Sequence, residues 1–201
     1  TGAVSLTYHH PLMVADRIVL LDHLTRGRIN FGVGPGGHLS DAAMLGVPSS
    51  EIRDRMEQSL EAILHLLTST EPLTASGPGW ELHDAVLQLR PYQQPYPPLA
   101  IPSLESPFGM ALAGRLGAAP ISLFFGASDL AAQWAITEDA AARAGDLGPG
   151  RVHDLLLRVV HHDHAGLGAS LARNTGQGVL LDASIKDGVR DLVADLVYCW
   201  H

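Results

Sequence analysis

The sequence has a single cysteine, Cys199, so it cannot form an internal disulfide. Such sparse cysteine usage is typical of proteins kept in a reducing compartment. No apolar run approaches the roughly 20 residues that a membrane-spanning helix needs, and no segment has the pattern of a signal peptide. We therefore expect a cytoplasmic globular protein that has no membrane partner.

Positive charge is also scarce, because Lys and Arg number 13 against 21 Asp and Glu, which gives a net charge of −8. Nucleic acids and anionic membrane surfaces recruit proteins through clustered cations, so nucleic acid is excluded as a partner. The sequence also lacks the GxSxG elbow of hydrolases. The sequence therefore offers no nucleophile motif that would support hydrolase chemistry.

The chain begins at Thr1, and Gly2–Thr7 already has the pattern of a core strand. Because a chain rarely begins inside a strand, we expect an upstream part to be missing from this sequence. Its 201 residues are enough to bury about 70% of the unfolded surface. No linker or internal repeat divides them, which predicts one domain over residues 1–201.

The segment Tyr8–Gly46 predicts a helix, a buried strand and a glycine-rich loop. Pro11 suits the first position of the helix, and Gly27 can take the left-handed cap at its end. The strand Ile29–Val33 runs directly into the loop Gly34–Gly37. The apolar face of the helix is predicted at Val14, Ile18 and Leu21, with Leu20 and Leu24 beside it and with Asp16, Arg17 and Asp22 off it.

Further along, strands alternate with helices, and the strands are apolar on both faces. This pattern indicates an α/β fold with a parallel sheet covered by helices, and about six βα units are present. The predicted elements are a helix capped by Ser49 or Ser50 that buries Ile52, Met56, Leu60, Ile63 and Leu67; a hairpin of Trp80–Leu82 and Val86–Leu89; an extended connector, Arg90–Pro98; strands Leu99–Ile101, Ile121–Phe124, Leu155–Val160 and Val179–Leu181; and helices from Ser106 to Gly117, from Ser128 to about Gly145 and from Ser184.

The run HHPLMVADRIVLLDHLTRGRINFGVGPGG, which starts at His9, resembles the signature of the bacterial luciferase-like flavin-dependent monooxygenases. Its spelling is closest to the limonene 1,2-monooxygenase-like branch, and the resemblance extends from Thr1 to about Trp134. It implies a (β/α)8 TIM-barrel-like fold in which Gly2–Thr7 is the third strand. A complete barrel needs about 250 residues, so the barrel would be incomplete here.

The resemblance also implies a reaction. Such enzymes take reduced flavin mononucleotide (FMN) from a separate flavin reductase and transfer one oxygen atom of O2 to a small apolar organic substrate, here a terpene such as limonene. Family members commonly form homodimers through the helices that match Pro11–Leu24 and Ser50–Leu67. A deazaflavin-dependent oxidoreductase of the same fold is one alternative, and a non-catalytic truncated relic or subunit is another.

Cofactor-binding residues follow from the same resemblance. Glu105 and Ser106 match a pair that contributes to the flavin phosphate pocket, and Gly109 follows in the same segment. Ser106 also precedes Pro107 at a helix start, where phosphate binds well, although an ordinary cap is the alternative. Gly34 opens the glycine-rich loop, which is otherwise a plain turn.

Two positions make the predicted flavin site unusual. Pro35 stands where the luciferases have an arginine that helps to hold the phosphate. Gly2-Ala3 matches a non-proline cis peptide that lies under the flavin ring in some relatives, so Ala3 is also a cofactor-binding candidate. Such a bond costs about 3–4 kcal/mol.

His10 and Asp41 match residues that line the flavin side, and they are the catalytic candidates. A histidine at a strand end can donate or position a proton. The alternatives are that His9 is a solvated loop residue and that His10 caps the helix.

The cluster 161–164, His-His-Asp-His, has some features of a metal site. Adjacent residues of an extended chain point in opposite directions, however, and no second cluster has ligand spacing, so no metal is predicted. An open array of six strands also exposes two sheet edges, which predicts a tendency to self-associate.

Overall fold

The computed structural model describes residues 1–36, 38–103, 106–122, 127–145, 156–163, 166–174 and 178–183. The side chains of residues 122–131 and of residues 156 onward are outside this description. Contacts divide the chain into two units, one that contains Ala3–Pro98 and one that begins at Leu99.

The first unit joins a short parallel strand pair to three helices and a hairpin. β1 pairs in parallel with β2, with Val4 opposite Val33 and Ser5 opposite Gly34. The elements are β1 (Val4–Ser5), α1 (Pro11–Thr25), β2 (Phe31–Gly34), α2 (Leu39–Met44), α3 (Ile52–Thr68), β3 (Leu73–Gly77) and β4 (Trp80–Ala85), with 3₁₀ turns at Leu6–Tyr8 and Ser49–Glu51.

The predicted strand Gly2–Thr7 is confirmed only at its centre, because the chain turns into a 3₁₀ helix at Leu6. Leu6 and Thr7 are both buried. The Thr7 hydroxyl donates to the carbonyl oxygen of Pro35 and also lies 3.0 Å from that of Ile52. This turn therefore ties the end of β1 to the loop after β2 and to the start of α3.

α1 begins at Pro11 as predicted, and its predicted apolar face is confirmed only in part. Val14 and Ile18 point inward, whereas Leu21 is 39% exposed and Leu24 is 69% exposed. Asp22, predicted to lie off the apolar face, is fully buried. The left-handed cap falls on Arg26 (φ 54°), and Gly27 follows it with φ 74°.

Asp22 is buried because the connector that follows the hairpin supplies its partners. Its carboxylate accepts hydrogen bonds from the backbone N–H and the side-chain amide of Gln93, both at 2.8 Å. The same Gln93 amide donates to the carbonyl of Ile29 at 3.0 Å. A buried carboxylate is tolerated only when it is hydrogen-bonded in this way.

α3 buries the apolar face that the sequence predicts, since Ile52, Met56, Leu60, Ile63 and Leu67 are all buried. Its predicted serine cap is wrong. Ser49 and Ser50 form a 3₁₀ turn, and the N-cap is Glu51, which makes no side-chain cap bond.

The predicted hairpin has one correct strand, at Trp80, but the wrong partner strand. Trp80–Ala85 pairs with Leu73–Gly77, not with Val86–Leu89. The turn is Pro78-Gly79, in which Gly79 has φ 86°, and a Pro-Gly pair favours a tight turn between strands. β3 was not predicted because its sequence is mostly polar and small and has the pattern of a loop.

The second unit contains a parallel arrangement followed by an antiparallel one. β5 (Leu99–Ser103), β6 (Ala119–Ser122) and β7 (Leu156–Asp163) are parallel neighbours. β8 (Gly166–Asn174) and β9 (Gly178–Ala183) then continue antiparallel to β7. The parallel part confirms the predicted βα alternation, whereas the end of the sheet departs from it. Leu123, Phe124 and the predicted helix from Ser184 lie outside the described residues.

Two helices flank the strands of the second unit. α4 (Pro107–Leu116) has Ser106 as its N-cap and Gly117 (φ 61°) as its C-cap, both as predicted. α5 covers Ala127–Ala144, so Ser128 lies inside the helix and does not cap it. A side chain at Gly114 would collide with the carbonyl oxygen of Thr137, so the two helices pack closely at this glycine.

Replacing Asp22 with alanine should lower the free energy of unfolding by about 2–4 kcal/mol, because two donors of Gln93 lose their buried acceptor. Asp16→Ala, an exposed change on the same helix, should change it by less than about 0.5 kcal/mol. Urea unfolding measures both. Equal stability of the two variants would contradict the assigned role of Asp22.

Candidate functional site

The ends of β1 and β2 place two predicted site segments together. The strands are parallel, so their carboxyl ends lie at one edge, where Ser5 is opposite Gly34. Ligands of α/β proteins bind at this end of the sheet. The Thr7 hydroxyl, which donates to the Pro35 carbonyl, fixes the glycine-rich loop against the Leu6–Tyr8 turn.

Gly36 is explained by contact with Tyr8. Its φ is 91°, and an added Cβ would lie 2.5 Å from Cε2 of Tyr8 and 2.9 Å from its hydroxyl oxygen. A side chain is therefore excluded by strain and by space. This glycine is required by packing inside the chain, so it does not by itself indicate a ligand.

The pKa of Tyr8 is shifted from its ordinary value. Burial raises the pKa of its phenol, and the nearby carboxylate of Asp41 raises that pKa further. Asp41 lies in the first turn of α2. The structure thus places Tyr8, which the sequence did not single out, within electrostatic reach of the catalytic candidate Asp41.

His10, the other catalytic candidate, is the N-cap residue of α1, but its side chain makes no cap bond. Its Nε2 atom lies 3.2 Å from the carbonyl oxygen of Glu81. Its Nδ1 atom is buried and has no hydrogen-bond partner within the described part of the chain. His9 is exposed, in agreement with the solvated-loop alternative. No catalytic role of His10 or Asp41 is tested by this geometry, and both remain predictions.

The start of α4 has the cap that the sequence predicts. The Ser106 hydroxyl accepts a hydrogen bond from the Phe108 N–H at 3.3 Å, and the Ser103 hydroxyl donates to the Ser106 carbonyl at 2.7 Å. The capping role of Ser106 is therefore confirmed. A phosphate-binding role for Ser106 remains a prediction. Glu105 lies outside the described residues.

Gly109 lies where α4 packs on β5. A Cβ here would lie 2.8 Å from the carbonyl oxygen of Pro102 and 2.9 Å from Cβ of Ser103. Packing therefore accounts for this glycine, and its predicted cofactor contact remains untested.

The cis peptide implied at Gly2-Ala3 is absent. Within the described ranges, the cis bond is Gln94–Pro95. A non-proline cis bond persists only where its surroundings force it, and the Ala3 side of this segment is exposed. A cofactor contact of Ala3 remains a prediction.

The sequence does not predict a solvent-open cavity of about 210 Å³ between the Leu6–Tyr8 turn, the segment after α2 and the hairpin tip. Tyr8, His10, Arg55 and Trp80 line it. The signal available in the sequence was Trp80 directly after Pro78-Gly79, a large aromatic residue at a turn.

The described part of the chain shows neither a cluster of metal ligands nor a membrane-spanning helix. No group of three or more metal-ligating side chains occurs among those residues. His161 to Asp163 belong to β7, but their side chains, like all of His164, are outside the description. None of the described helices is both long and apolar enough to cross a membrane.

Comparison with known sequences identifies a family. A sequence model described as luciferase-like monooxygenase matches residues 1–164. The chain is 52% identical over 153 residues to the 4-hydroxyprotoasukamycin monooxygenase of Streptomyces nodosus subsp. asukaensis. This alignment covers 72% of this chain and 41% of that protein. It is 43% identical over 148 residues to the limonene 1,2-monooxygenase of Rhodococcus erythropolis, with 72% and 38% covered. The chain thus spans about two fifths of the length of these relatives.

Solved structures show the same fold. Monooxygenase RslO1 from Streptomyces bottropensis matches with a TM-score of 0.68 and 22% identity, covering 79% of this chain and 47% of that chain. The oxygenating constituent of the 3,6-diketocamphane monooxygenase from the CAM plasmid of Pseudomonas putida, solved with FMN, matches with a TM-score of 0.63 and 25% identity, covering 72% and 43%. An F420-dependent secondary alcohol dehydrogenase matches with a TM-score of 0.65 and 23% identity, covering 76% and 46%. These matches confirm the predicted fold class, an incomplete TIM-barrel-like α/β fold.

The pKa of Tyr8 should lie above the ordinary value of 10.0, and Asp41→Asn should lower it by removing one of its two causes. The difference between the alkaline absorbance titrations of the parent and of Tyr8→Phe isolates this phenol. Since unfolded Tyr8 loses its proton first, its contribution to stability should be complete below pH 10.0 and should be lost as the pH rises through the folded pKa. Asp16→Asn, an exposed carboxylate change, is the control. An unchanged Tyr8 pKa in Asp41→Asn would refute the coupling.

Proposed function

This chain belongs to the luciferase-like monooxygenase family, and we propose that the protein uses reduced FMN to transfer one oxygen atom of O2 to an apolar organic substrate. The observation that carries the proposal is its 52% identity over 153 residues to a named monooxygenase. The 43% identity to limonene 1,2-monooxygenase supports a terpene-like substrate. A separate flavin reductase is the proposed source of reduced flavin, and a homodimer is the proposed assembly.

FMN is the proposed cofactor because a structural relative at 25% identity was solved with FMN. A deazaflavin is the second candidate, since the chain is also 35% identical over 91 residues to an F420-dependent glucose-6-phosphate dehydrogenase of Kineococcus radiotolerans. That match covers 44% of the chain and 26% of the relative. The monooxygenase matches are longer and more similar, which favours FMN.

The bound flavin would supply the reaction with O2, and the protein would bind it, orient it and exclude water. In this proposal, the Ser106 hydroxyl and the N-terminal amides of α4 bind the phosphate, with Glu105 and Gly109 in the same segment. Ala3 and the backbone at Gly34 contact the flavin. His10 and Asp41 are the proposed catalytic residues, and Tyr8, whose pKa is raised by burial and by the Asp41 carboxylate, lies beside them.

The residues fit an anion at α4 better than at the glycine-rich loop. Ser106 caps a helix of ten residues, whose N-terminus attracts negative charge. Pro35 offers no cation and no N–H donor. We therefore propose that flavin binding in this protein depends less on a charged phosphate contact at the loop than it does in the luciferases.

Pro35→Arg should tighten FMN binding about tenfold, because a charge-assisted bond to phosphate contributes roughly 1.5–3 kcal/mol. Riboflavin, which has the same ring and no phosphate, should bind both proteins equally. Ser106→Ala should weaken FMN binding, whereas Ser76→Ala, an exposed serine in the hairpin, should not. Quenching of flavin fluorescence measures each affinity. Equal FMN and riboflavin affinities in every variant would reject the phosphate contacts.

The oxygenation itself is tested with labelled O2. The protein, reduced FMN, a flavin reductase and limonene should give a product that carries one labelled oxygen atom, detected by mass spectrometry. An unlabelled or absent product despite FMN binding would favour the non-catalytic alternative. Turnover with reduced deazaflavin and none with reduced FMN would favour the deazaflavin oxidoreductase.

A further inference from the structure

The glycine-rich loop is held in place by one buried hydroxyl. Thr7 is only 7% exposed, and its hydroxyl donates to the carbonyl oxygen of Pro35. The hydroxyl also lies 3.0 Å from the carbonyl oxygen of Ile52, but it has one hydrogen to donate. The Ile52 carbonyl is in the first turn of α3, where the helix supplies its donor. Among the described residues, Thr7 is the donor to Pro35, so it fixes the direction of that carbonyl.

The direction of the Pro35 carbonyl also determines where the next N–H points. The Pro35–Gly36 bond is not one of the cis bonds, and in a planar trans peptide the C=O and the following N–H point in opposite directions. Because the oxygen faces Thr7, the Gly36 N–H points away from the buried hydroxyl. Gly36 is partly exposed, and no acceptor for its N–H lies among the described residues. The loop therefore offers a backbone donor to a ligand.

Tyr8 restricts the loop at the same place. A Cβ at Gly36 would lie 2.5 Å from Cε2 of Tyr8, so the ring packs directly on the glycine backbone. Two successive residues of one turn thus hold two successive residues of the loop, since Thr7 bonds to Pro35 and Tyr8 contacts Gly36. The N–H is therefore oriented before a ligand binds. Such preorganisation reduces the cost of binding.

This donor lies at the end of the sheet where ligands bind. Gly34 is the last residue of β2 and is opposite Ser5 of the parallel strand β1. Gly36 follows two residues later, beyond the carboxyl end of the strand. Ligands of α/β proteins bind in this position. The Gly36 N–H is thus on the edge to which the proposed function assigns the flavin.

The charges around Gly36 favour an uncharged acceptor. Residues 34–46 contain no Lys or Arg. The pKa of Tyr8 is raised by burial and also by the negative charge of Asp41, and the hydroxyl end of Tyr8 lies against Gly36. A phosphate at this N–H would meet one neutral donor and a nearby carboxylate. A carbonyl oxygen of the flavin ring accepts a hydrogen bond without bringing a negative charge close to Asp41.

We propose that Thr7 is a positioning residue that directs the Gly36 N–H toward a carbonyl oxygen of the flavin ring. This inference rests on the proposed flavin function and deepens it. The glycine-rich loop then contributes to binding of the ring, whereas the start of α4 contributes to binding of the phosphate. Pro35 is compatible with this division, because the loop acts through a neutral backbone donor and not through a cation.

Two substitutions of Thr7 separate the hydroxyl from the shape of the side chain. Thr7→Val, which is nearly isosteric and has no hydroxyl, should weaken the binding of FMN and of riboflavin alike, by about three- to tenfold. Thr7→Ser keeps the hydroxyl and should bind both flavins within about twofold of the parent protein. Thr25→Val removes a hydroxyl that bonds to Leu21 at the other end of α1 and should change neither affinity. Quenching of flavin fluorescence measures all of them.

A second measurement needs only the parent protein, so it holds even if Thr7→Val does not fold. Labelling proline at the carbonyl carbon and glycine at nitrogen selects the three glycines that follow a proline, at positions 36, 79 and 150. Pro35→Ala removes one of these pairs and so assigns the Gly36 signal. FMN and riboflavin should both move the Gly36 amide proton downfield in a saturable way. The shift should persist in Thr7→Ser and shrink in Thr7→Val.

Three results would overturn the proposal while leaving the flavin function in place. The first is flavin binding that does not move the Gly36 amide, which would leave that N–H to water. The second is equal flavin affinity of Thr7→Val and the parent. The third is a Thr7→Val loss for FMN but not for riboflavin, which would assign the loop to the phosphate. If neither flavin bound to the parent, the proposed function would fail as well.

Discussion

The first unit depends on a single hydroxyl at the end of its first strand. Thr7 is buried, and its hydroxyl donates to the Pro35 carbonyl and lies 3.0 Å from the Ile52 carbonyl. It thereby joins the glycine-rich loop and the start of α3 to the Leu6–Tyr8 turn. The next residue, Tyr8, packs against Gly36, so the loop is shaped by the protein before any ligand binds. Such preorganisation reduces the cost of binding.

Elements with local signals could be predicted from the sequence, and elements with distant partners could not. Pro11, Ser106 and Gly117 mark helix ends through their own backbone chemistry, and the structure has all three in those roles. The sequence pattern predicts that Asp22 lies off the apolar face, because its partner, Gln93, is 71 residues away. A hydrophobic pattern treats a carboxylate as exposed and cannot register a distant amide that satisfies it.

The candidate site shows the same division. The family resemblance points to His10, Asp41 and Ser106 as site residues. The residues that surround them in the structure belong to elements that are distant in the sequence, so no local pattern predicts these contacts. The Glu81 carbonyl reaches His10 only because the hairpin turns at Pro78-Gly79. The sequence pattern pairs Trp80–Leu82 with Val86–Leu89 and not with the preceding strand Leu73–Gly77, so it does not predict the cavity beside Trp80. Packing also accounts for Gly36 and Gly109, which the sequence alone could not separate from cofactor contacts.

The proposed flavin site depends on the start of α4 binding the phosphate. Amide NMR spectra recorded with FMN and with riboflavin test it most directly, because the two ligands differ only in that group. The expected result is that the difference between the two sets of shifts is concentrated at Ser106, Phe108 and Gly109. Shift differences confined to other residues, or identical shifts with both ligands, would contradict it.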